Sequence, residues 1–363
     1  MDIINIADLT EKLISFPSTS SNKNALFNII QFCKDYLSHE DVVIKCFEKN
    51  GIPSLIATFE DTLEPDILLV GHLDVVTAED FSSRRTPNRV YGRGSGDMKG
   101  SDAAMLNAFR FFYSNTAKPS LGIMLTTDEE TGGQNGTKYL LEEKKYRPKF
   151  AIVPDSSFSL SKIVIQEKGI LHLSVTAQGK SCHASRPFDG ENALGKLIVL
   201  CQKLETRYPE TKKTEWKTTV TPTCMRGGDT VNTIPNFAEM KLDIRFIDDS
   251  EKNAILDMIQ TLGCDYKILV EASAFLQDPT HHYIQKYKEL TGKYLQKDVE
   301  FVKEFGGADS RFFSEQKIPC IVVGPEKGNT HSPNEWVNIE ELEIFSQILI
   351  EFTKDSTRKI SPQ

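Results

Sequence analysis

Histidines and carboxylates come after several short apolar runs of this chain, and together they form a set that could bind metal ions. The side chains that follow these runs are His72, Asp74, Glu129, Glu130, Asp155 and His331. A further carboxylate, Asp97, lies in the glycine-rich segment Gly92–Gly100, directly before a predicted helix. Imidazoles and carboxylates without a thiolate are typical of catalytic Zn²⁺, with Co²⁺ or Mn²⁺ as substitutes. Carboxylates packed this densely repel one another unless cations compensate them, so the pattern predicts a bimetallic hydrolase site.

A sheet would bring these side chains together. The apolar runs are short and nearly continuous, as expected of strands covered on both faces. They are Ile67–Val70, Gly122–Leu125, Phe150–Val153 and Ile318–Val323. In open α/β sheets the ligand site lies outside the carboxyl ends of the strands. We therefore predict an α/β fold with helices on both sides of a layered sheet, in which Ile318–Val323 is the last strand in chain order. The helical spacing of apolar residues between Ala7 and Leu37 predicts helical structure before the sheet.

The order of elements changes between residues 169 and 274. The pattern there predicts strand, helix, strand, strand, helix and strand, which is the split β-α-β-β-α-β arrangement. Because the strand Ile318–Val323 lies beyond this segment, the segment must be inserted within the first domain. We predict a discontinuous metal-dependent catalytic domain of residues 1–168 and 275–363, and an inserted domain of residues 169–274.

The composition excludes several classes of protein. The 363 residues include 43 Lys and Arg against 51 Asp and Glu, which gives a formal net charge of −8. An acidic chain is a poor ligand for nucleic acid or anionic membranes, so we expect neither as a partner. The seven cysteines are scattered, and we see no secretory signal and no apolar stretch of membrane-spanning length. These features favour a soluble, cytoplasmic protein.

The motifs together resemble the M20 metallopeptidase and amidohydrolase family, which includes acetylornithine deacetylases and succinyl-diaminopimelate desuccinylases. The matching segments run in family order across nearly the whole chain: Gly71–Val76, Gly92–Gly100, Asp128–Gly132, His183–Pro187, Gly227–Pro235 and His331–Glu335. The resemblance implies a zinc-exopeptidase-like catalytic domain with a layered mixed sheet. It also implies a ferredoxin-like inserted domain that serves as a lid and as the contact of a homodimer.

Carried over residue by residue, the resemblance implies a centre of two Zn²⁺ ions bridged by Asp97. His72 and Asp155 would complete the ligands of one ion, and Glu130 and His331 those of the other.

The resemblance implies further roles around this centre. Asp74 would hold the ring of His72, and Glu129 would be the general base. His183, on the inserted domain, would donate to the oxyanion in the site of the partner subunit. The peptide bond between Asp97 and Met98 is expected to be cis.

The predicted reaction is hydrolysis of the amide bond of an N-acyl amino acid, of deacetylase or desuccinylase type. A water between two zinc ions supplies hydroxide near neutral pH, and a carboxylate free of metal can move its proton. Asn232 and Arg245 are candidates for binding a substrate carboxylate, and Gly307 for a wall of the pocket. Two alternatives remain open: a dipeptidase or carboxypeptidase that cleaves a short peptide with the same site, and a metal-binding regulatory protein that has lost catalysis.

Overall fold

The computed structural model describes residues 5–212, 215–357 and 359–360. The chain forms two compact units. The first consists of Met1–Ile165, Leu276–Glu304 and Ala308–Gln363, and the second of Gln166–Phe275 and Phe305–Gly307. The sequence prediction places the domain boundaries after residues 168 and 274, whereas the compact units change after residues 165 and 275. The short segment Phe305–Gly307, predicted within the catalytic domain, packs with the second unit.

The structure contains strands of two to ten residues, distributed over both units. In chain order they are β1 Val43–Lys49, β2 Ile52–Thr58, β3 Ile67–His72, β4 Arg84–Arg85, β5 Arg89–Tyr91, β6 Lys118–Pro119, β7 Leu121–Thr126, β8 Phe150–Val153, β9 Lys162–Glu167, β10 Gly169–Gln178, β11 Cys182–His183, β12 Thr219–Gly227, β13 Thr233–Ile234, β14 Phe237–Phe246, β15 Cys264–Ala272, β16 Phe275–Leu276, β17 Glu300–Glu304, β18 Cys320–Val322, β19 Lys327–Gly328, β20 Trp336–Asn338 and β21 Lys359–Ile360.

Two α-helices precede β1, and the others lie between groups of strands. The helices are α1 Ile6–Ile14, α2 Lys23–Leu37, α3 Gly100–Phe111, α4 Thr137–Glu142, α5 Ala193–Arg207, α6 Asp249–Thr261, α7 His282–Leu295, α8 Ser310–Glu315 and α9 Ile339–Ser356. Among the described residues, no helix has the length and apolar character needed to cross a membrane.

The large sheet has the strand order β1-β2-β7-β3-β8-β18-β9-β16, and β17 pairs with β9. Its central strands β7, β3, β8 and β18 are parallel, whereas β1, β2 and β9 pair antiparallel with their neighbours. The carboxyl ends of the parallel strands therefore meet at one edge, as the sequence predicted. The predicted mixed α/β class is confirmed.

Helices and sheet share one apolar core in the first unit. Residues of β3 and β7 pack in it with residues of α1, α3 and α9. Phe59 stacks on Phe109 of α3 with ring centroids 4.4 Å apart. Helix α3 passes so close to the end of β3 that a Cβ on Gly71 would lie 1.9 Å from Oδ1 of Asp102. Glycine before His72 is thus required by the close approach of α3.

A four-stranded antiparallel sheet of order β12-β14-β10-β15 forms the second unit. Its apolar residues pack with α5 and α6, as in Leu197 of α5 and Ile255 of α6, which are fully buried. The chain order of these elements is the predicted β-α-β-β-α-β, and the strand order places the first and third strands in the centre, as in ferredoxin-like folds.

The structure adds detail to the helical pattern before the sheet and to the position of the last strand. The helical pattern between Ala7 and Leu37 is divided into α1 and α2, because Pro17 disfavours helical backbone at Phe16 and Asn22 caps a new helix. The strand within Ile318–Val323, β18, is the last strand of the large sheet in chain order, as predicted, and it lies between β8 and β9 in the sheet. The apolar pattern did not predict β9, in which Val164 pairs with the sequence-distant Val322 of β18.

Candidate metal centre

The predicted ligands come together at the carboxyl edge of the central parallel strands. His72 is the last residue of β3, and Asp155 lies two residues beyond β8. The turn that follows β7 carries Glu130, and the segment after β18 carries His331. Asp97 lies in the loop before α3, where its peptide bond to Met98 is cis, as expected.

Asp97 lies between the two histidines. Its Oδ1 is 3.1 Å from Nε2 of His72, and its Oδ2 is 3.1 Å from Nε2 of His331. Each carboxylate oxygen thus faces a different imidazole. A carboxylate in this arrangement can bridge two cations, one on each side.

Two groups of potential ligands result, and Asp97 belongs to both. One is His72, Asp97 and Asp155, and the other is Asp97, Glu130 and His331. Within each group the potential ligand atoms lie within 4.8 Å of one another. Three donors per group, all imidazole or carboxylate, fit a divalent ion that keeps a position open for water or substrate.

Burial and mutual charge shift the pKa values of these groups. The pKa of His331 is raised to about 9, mainly because its imidazole forms a hydrogen bond with Asp97. Burial raises the pKa of Asp155 to about 7, and burial also raises the pKa of Glu130. Burial alone would lower the pKa of His72, but its contacts with Asp74 and Asp97 outweigh burial and raise it. Without a bound cation, the cluster therefore holds protons that a metal ion would displace.

Asp74 organises more of the centre than the sequence predicted. Nδ1 of His72 lies 3.0 Å from the main-chain carbonyl of Asp74 and 3.5 Å from its carboxylate, so the carbonyl is its hydrogen-bond acceptor. The carboxylate of Asp74 instead accepts the main-chain N–H groups of Glu129 and Glu130, at 3.2 and 3.1 Å. One buried residue thus orients a ligand on β3 and the turn after β7.

Glu129 belongs to neither ligand group. Its side chain is largely buried, and burial raises its pKa well above the ordinary value. Two further buried charged residues, Asp309 and Arg311, influence its pKa, the first raising it and the second lowering it. A carboxyl group with a raised pKa is suited to accept and return a proton.

Glu335 holds the loop that carries Asp97. Its buried carboxylate accepts the N–H groups of Gly94, Gly96 and Asp97 and pairs with the guanidinium of Arg93 at 2.6 Å. The segment that carries His331 is thereby tied to the loop before α3. Glu335 was part of a predicted motif, but the sequence gave it no role.

The sequence reasoning also missed Lys327 and Arg311. Nζ of Lys327 donates to Oδ1 of Asp155 at 3.2 Å, and Arg311 donates to the carbonyl of Ala308 at 3.2 Å. Both cations are buried. Lysine and arginine side chains are usually exposed, so nothing in their residue type predicts a buried role. The one available signal was the position of Lys327 in the sequence, between a central strand and His331.

The remaining predicted residues lie in the second unit, where the structure brings His183 and Asn232 together. β11 pairs with β13, and the main-chain carbonyl of Asn232 accepts the N–H of Ala184 at 2.8 Å. The N–H of Ser185 donates to Nδ1 of His183 at 3.2 Å. This contact favours the tautomer with the proton on Nε2, which makes Nε2 a donor.

Arg245 and Gly307 have different surroundings. Arg245 lies on β14, and its guanidinium contacts the carboxylate of Asp243 at 2.8 and 3.2 Å. Gly307 is exposed in the segment Phe305–Gly307. The assignment of both to substrate binding stays a prediction.

Comparison with known proteins identifies relatives along almost the entire chain. The sequence profile of "Peptidase family M20/M25/M40" matches residues 68–355. A succinyl-diaminopimelate desuccinylase from a Nitratiruptor species is 26% identical over 374 residues, which cover 96% of this chain and 100% of that protein.

Solved structures share the fold at lower identity. The aminopeptidase PepT from Bacillus cereus superposes with a TM-score of 0.79 at 18% identity, covering 98% of this chain and 99% of that chain. A dinuclear metal binding peptidase of the M20 family from Bacillus subtilis superposes with a TM-score of 0.69 at 14% identity, covering 98% of each chain.

Replacing Glu335 by glutamine is expected to destabilise the first unit. The Glu335→Gln variant leaves the buried guanidinium of Arg93 without its counter-charge, which costs about 3–5 kcal/mol of unfolding free energy. Urea denaturation followed by circular dichroism measures the change. Glu343→Gln, at an exposed position of α9, is the matched control and should change stability by less than about 0.5 kcal/mol. Equal stability of the two variants would show that the loop does not depend on Glu335.

Metal binding is expected to strengthen as pH rises. The pKa of His331 is raised, so its protonated form stabilises the ion-free protein fully below about pH 6.5, and this stabilisation is lost as pH rises through about 9. Metal ligation needs the neutral imidazole, so the affinity for Co²⁺ should increase between about pH 6 and pH 8 with release of protons. Calorimetric titration in buffers of different ionisation enthalpy measures both. A pH-independent affinity would contradict the assignment of His331.

Proposed function

The chain belongs to the peptidase family M20/M25/M40 and is a hydrolase of amide bonds, and we propose that its substrate is an N-acyl amino acid of the acetyl or succinyl type. The observation that carries the proposal is the pair of ligand groups that share Asp97. The relative from Nitratiruptor, a succinyl-diaminopimelate desuccinylase that matches along its full length, supports an acyl amino acid as the substrate.

Two Zn²⁺ ions are the proposed cofactor, with Co²⁺ or Mn²⁺ as substitutes. His72 and Asp155 would hold one ion and Glu130 and His331 the other, with Asp97 between them. When bound, the ions would polarise the amide carbonyl and acidify a water. The donor set of imidazoles and carboxylates supports this proposal, as does the dinuclear metal binding peptidase from Bacillus subtilis that shares the fold.

Glu129 is the proposed general base. It accepts the proton of the attacking water and returns it to the leaving amine. The hydrogen bond from its own N–H to Asp74 fixes its main chain, while the neighbouring Glu130 turns to the ligand group. Burial raises the pKa of Glu129, which makes the ionised carboxylate a stronger base.

The second unit is proposed to act as a lid and to form a homodimer. Helix α5 leaves Ile198 and Val199 at 45% and 44% exposure, and β12 is an edge strand of the unit's sheet. An apolar helix surface beside a free strand edge supports association with a second copy. In this proposal Nε2 of His183 donates to the oxyanion in the partner's site, and Asn232, Arg245 and Gly307 contact the substrate.

Purified protein loaded with Zn²⁺, Co²⁺ or Mn²⁺ should hydrolyse N-acetyl or N-succinyl amino acids and lose activity on exhaustive chelation. Comparing kcat/KM with that for dipeptides tests the substrate class. Preference for dipeptides would replace the proposal by a dipeptidase or carboxypeptidase. Full activity after chelation would refute the metal centre, and metal binding without any hydrolysis would favour a regulatory protein.

Glu129→Gln in the same assay should keep the bound metal and reduce kcat by about a hundredfold or more, because the general base is lost. Glu343→Gln, which changes an exposed carboxylate, should leave kcat unchanged. Metal content is measured by atomic emission. A Glu129→Gln variant with normal kcat would show that the base is wrongly assigned.

Mixed dimers test whether His183 acts across subunits. His183→Ala and Glu129→Gln chains are each expected to be nearly inactive, whereas co-expressed chains should recover about a quarter of wild-type activity. Half of the dimers are then mixed, and each of these has one complete site. Two differently tagged chains allow purification of the mixed dimer, and an inactive mixed dimer would contradict a shared site.

A further inference from the structure

A buried lysine that neither the predicted ligand set nor the proposed reaction uses lies beside the candidate metal centre. Lys327 is the first residue of β19, which pairs with β20 near the loop of Asp97. Only 5% of its side chain is exposed. A Cβ on Gly96 would lie 3.0 Å from Cβ and 3.3 Å from Cδ of Lys327. Glycine at position 96 therefore leaves room for the lysine stem to cross the loop.

The ammonium group of Lys327 contacts only one of the two oxygens of Asp155 within hydrogen-bond distance. Nζ of Lys327 donates to Oδ1 at 3.2 Å, while Oδ2 lies 3.8 Å from Nε2 of His72. The two oxygens of this carboxylate thus have different partners. Oδ1 faces a fixed positive charge, and Oδ2 faces the ligand group that Asp155 forms with His72 and Asp97.

Lys327 brings a cationic side chain against the carboxylate of Asp155. Its ammonium group forms an ion pair with Oδ1 of Asp155 at 3.2 Å, and the lysine side chain is 5% exposed. The lysine therefore places one positive charge next to a group that would also hold a divalent cation. The ammonium group and the divalent cation would repel each other. Because the site is buried, solvent and salt would screen this repulsion only weakly.

We propose that Lys327 is a positioning residue of the metal centre, which holds Oδ1 of Asp155 so that this carboxylate offers Oδ2 alone to an ion. The proposal rests on the proposed two-metal function. Two consequences follow from it. Asp155 is a monodentate ligand, which leaves one more position for substrate or water. In addition, the group of His72, Asp97 and Asp155 binds its ion more weakly than the group of Asp97, Glu130 and His331.

The test compares Co²⁺ binding by the full-length wild-type protein and the Lys327→Met variant. Methionine keeps an unbranched side chain and removes the charge. The weaker of the two Co²⁺ dissociation constants should decrease by about tenfold, because the repulsion is gone. The visible absorption per Co²⁺ ion should fall, because Asp155 becomes free to bind through both oxygens and the coordination number rises. Lys327→Gln, a second uncharged replacement, should behave like Lys327→Met.

Lys293→Met, at an exposed position of α7, is the matched control and should keep both dissociation constants and the spectrum of the wild type. Circular dichroism of each ion-free variant verifies that it is folded. Unchanged or weaker Co²⁺ binding by the folded Lys327 variants would overturn the proposal, as would an unchanged spectrum.

The result can be separated from a failure of the proposed function. Co²⁺ binding is measured without substrate, so a wild-type protein that binds two ions but hydrolyses no N-acyl amino acid refutes only the substrate assignment. A wild-type protein that binds no pair of Co²⁺ ions refutes the metal centre and the role of Lys327 together.

Discussion

The structure of the first unit depends on compensating the charge of several buried carboxylates at one edge of a parallel sheet. Asp97 has an imidazole at each oxygen, and Asp155 has a lysine at one of its own. Glu335 accepts three main-chain N–H groups and a guanidinium. Unpaired buried carboxylates would cost several kcal/mol each, so these partners are conditions for folding as well as for chemistry.

The same partners tie segments that are far apart in the sequence. Glu335 connects the segment of His331 to the loop of Asp97, across more than 230 residues. Asp74 connects the end of β3 to the turn that carries Glu129. A ligand set assembled from separate loops stays in place because each loop is fixed by hydrogen bonds to a neighbouring loop.

The second unit has its own core and its own open edges. Its central strands are β10 and β14, while β12 and β15 each have one edge that no strand of the described residues pairs with. The exposed residues Ile268, Leu269 and Val270 lie on β15. A small sheet with apolar edge residues is a surface that proteins usually cover or use for association.

The sequence alone determined the fold class, the inserted β-α-β-β-α-β segment and the residues that form both ligand groups. Short apolar runs mark the strands, and parallel strands present the residues behind them at one edge. The division of those residues into two ligand groups came from the resemblance of the motifs to the M20 family. Only the tertiary structure showed where the first helix ends, which strand pairs with β18, and which side chains hold the buried carboxylates. The helical pattern before the sheet divides at Pro17, and β9 covers the free edge of β18. The partners of Asp155 and Glu335 are close in space and distant in sequence, so periodicity and motif spacing could not reveal them.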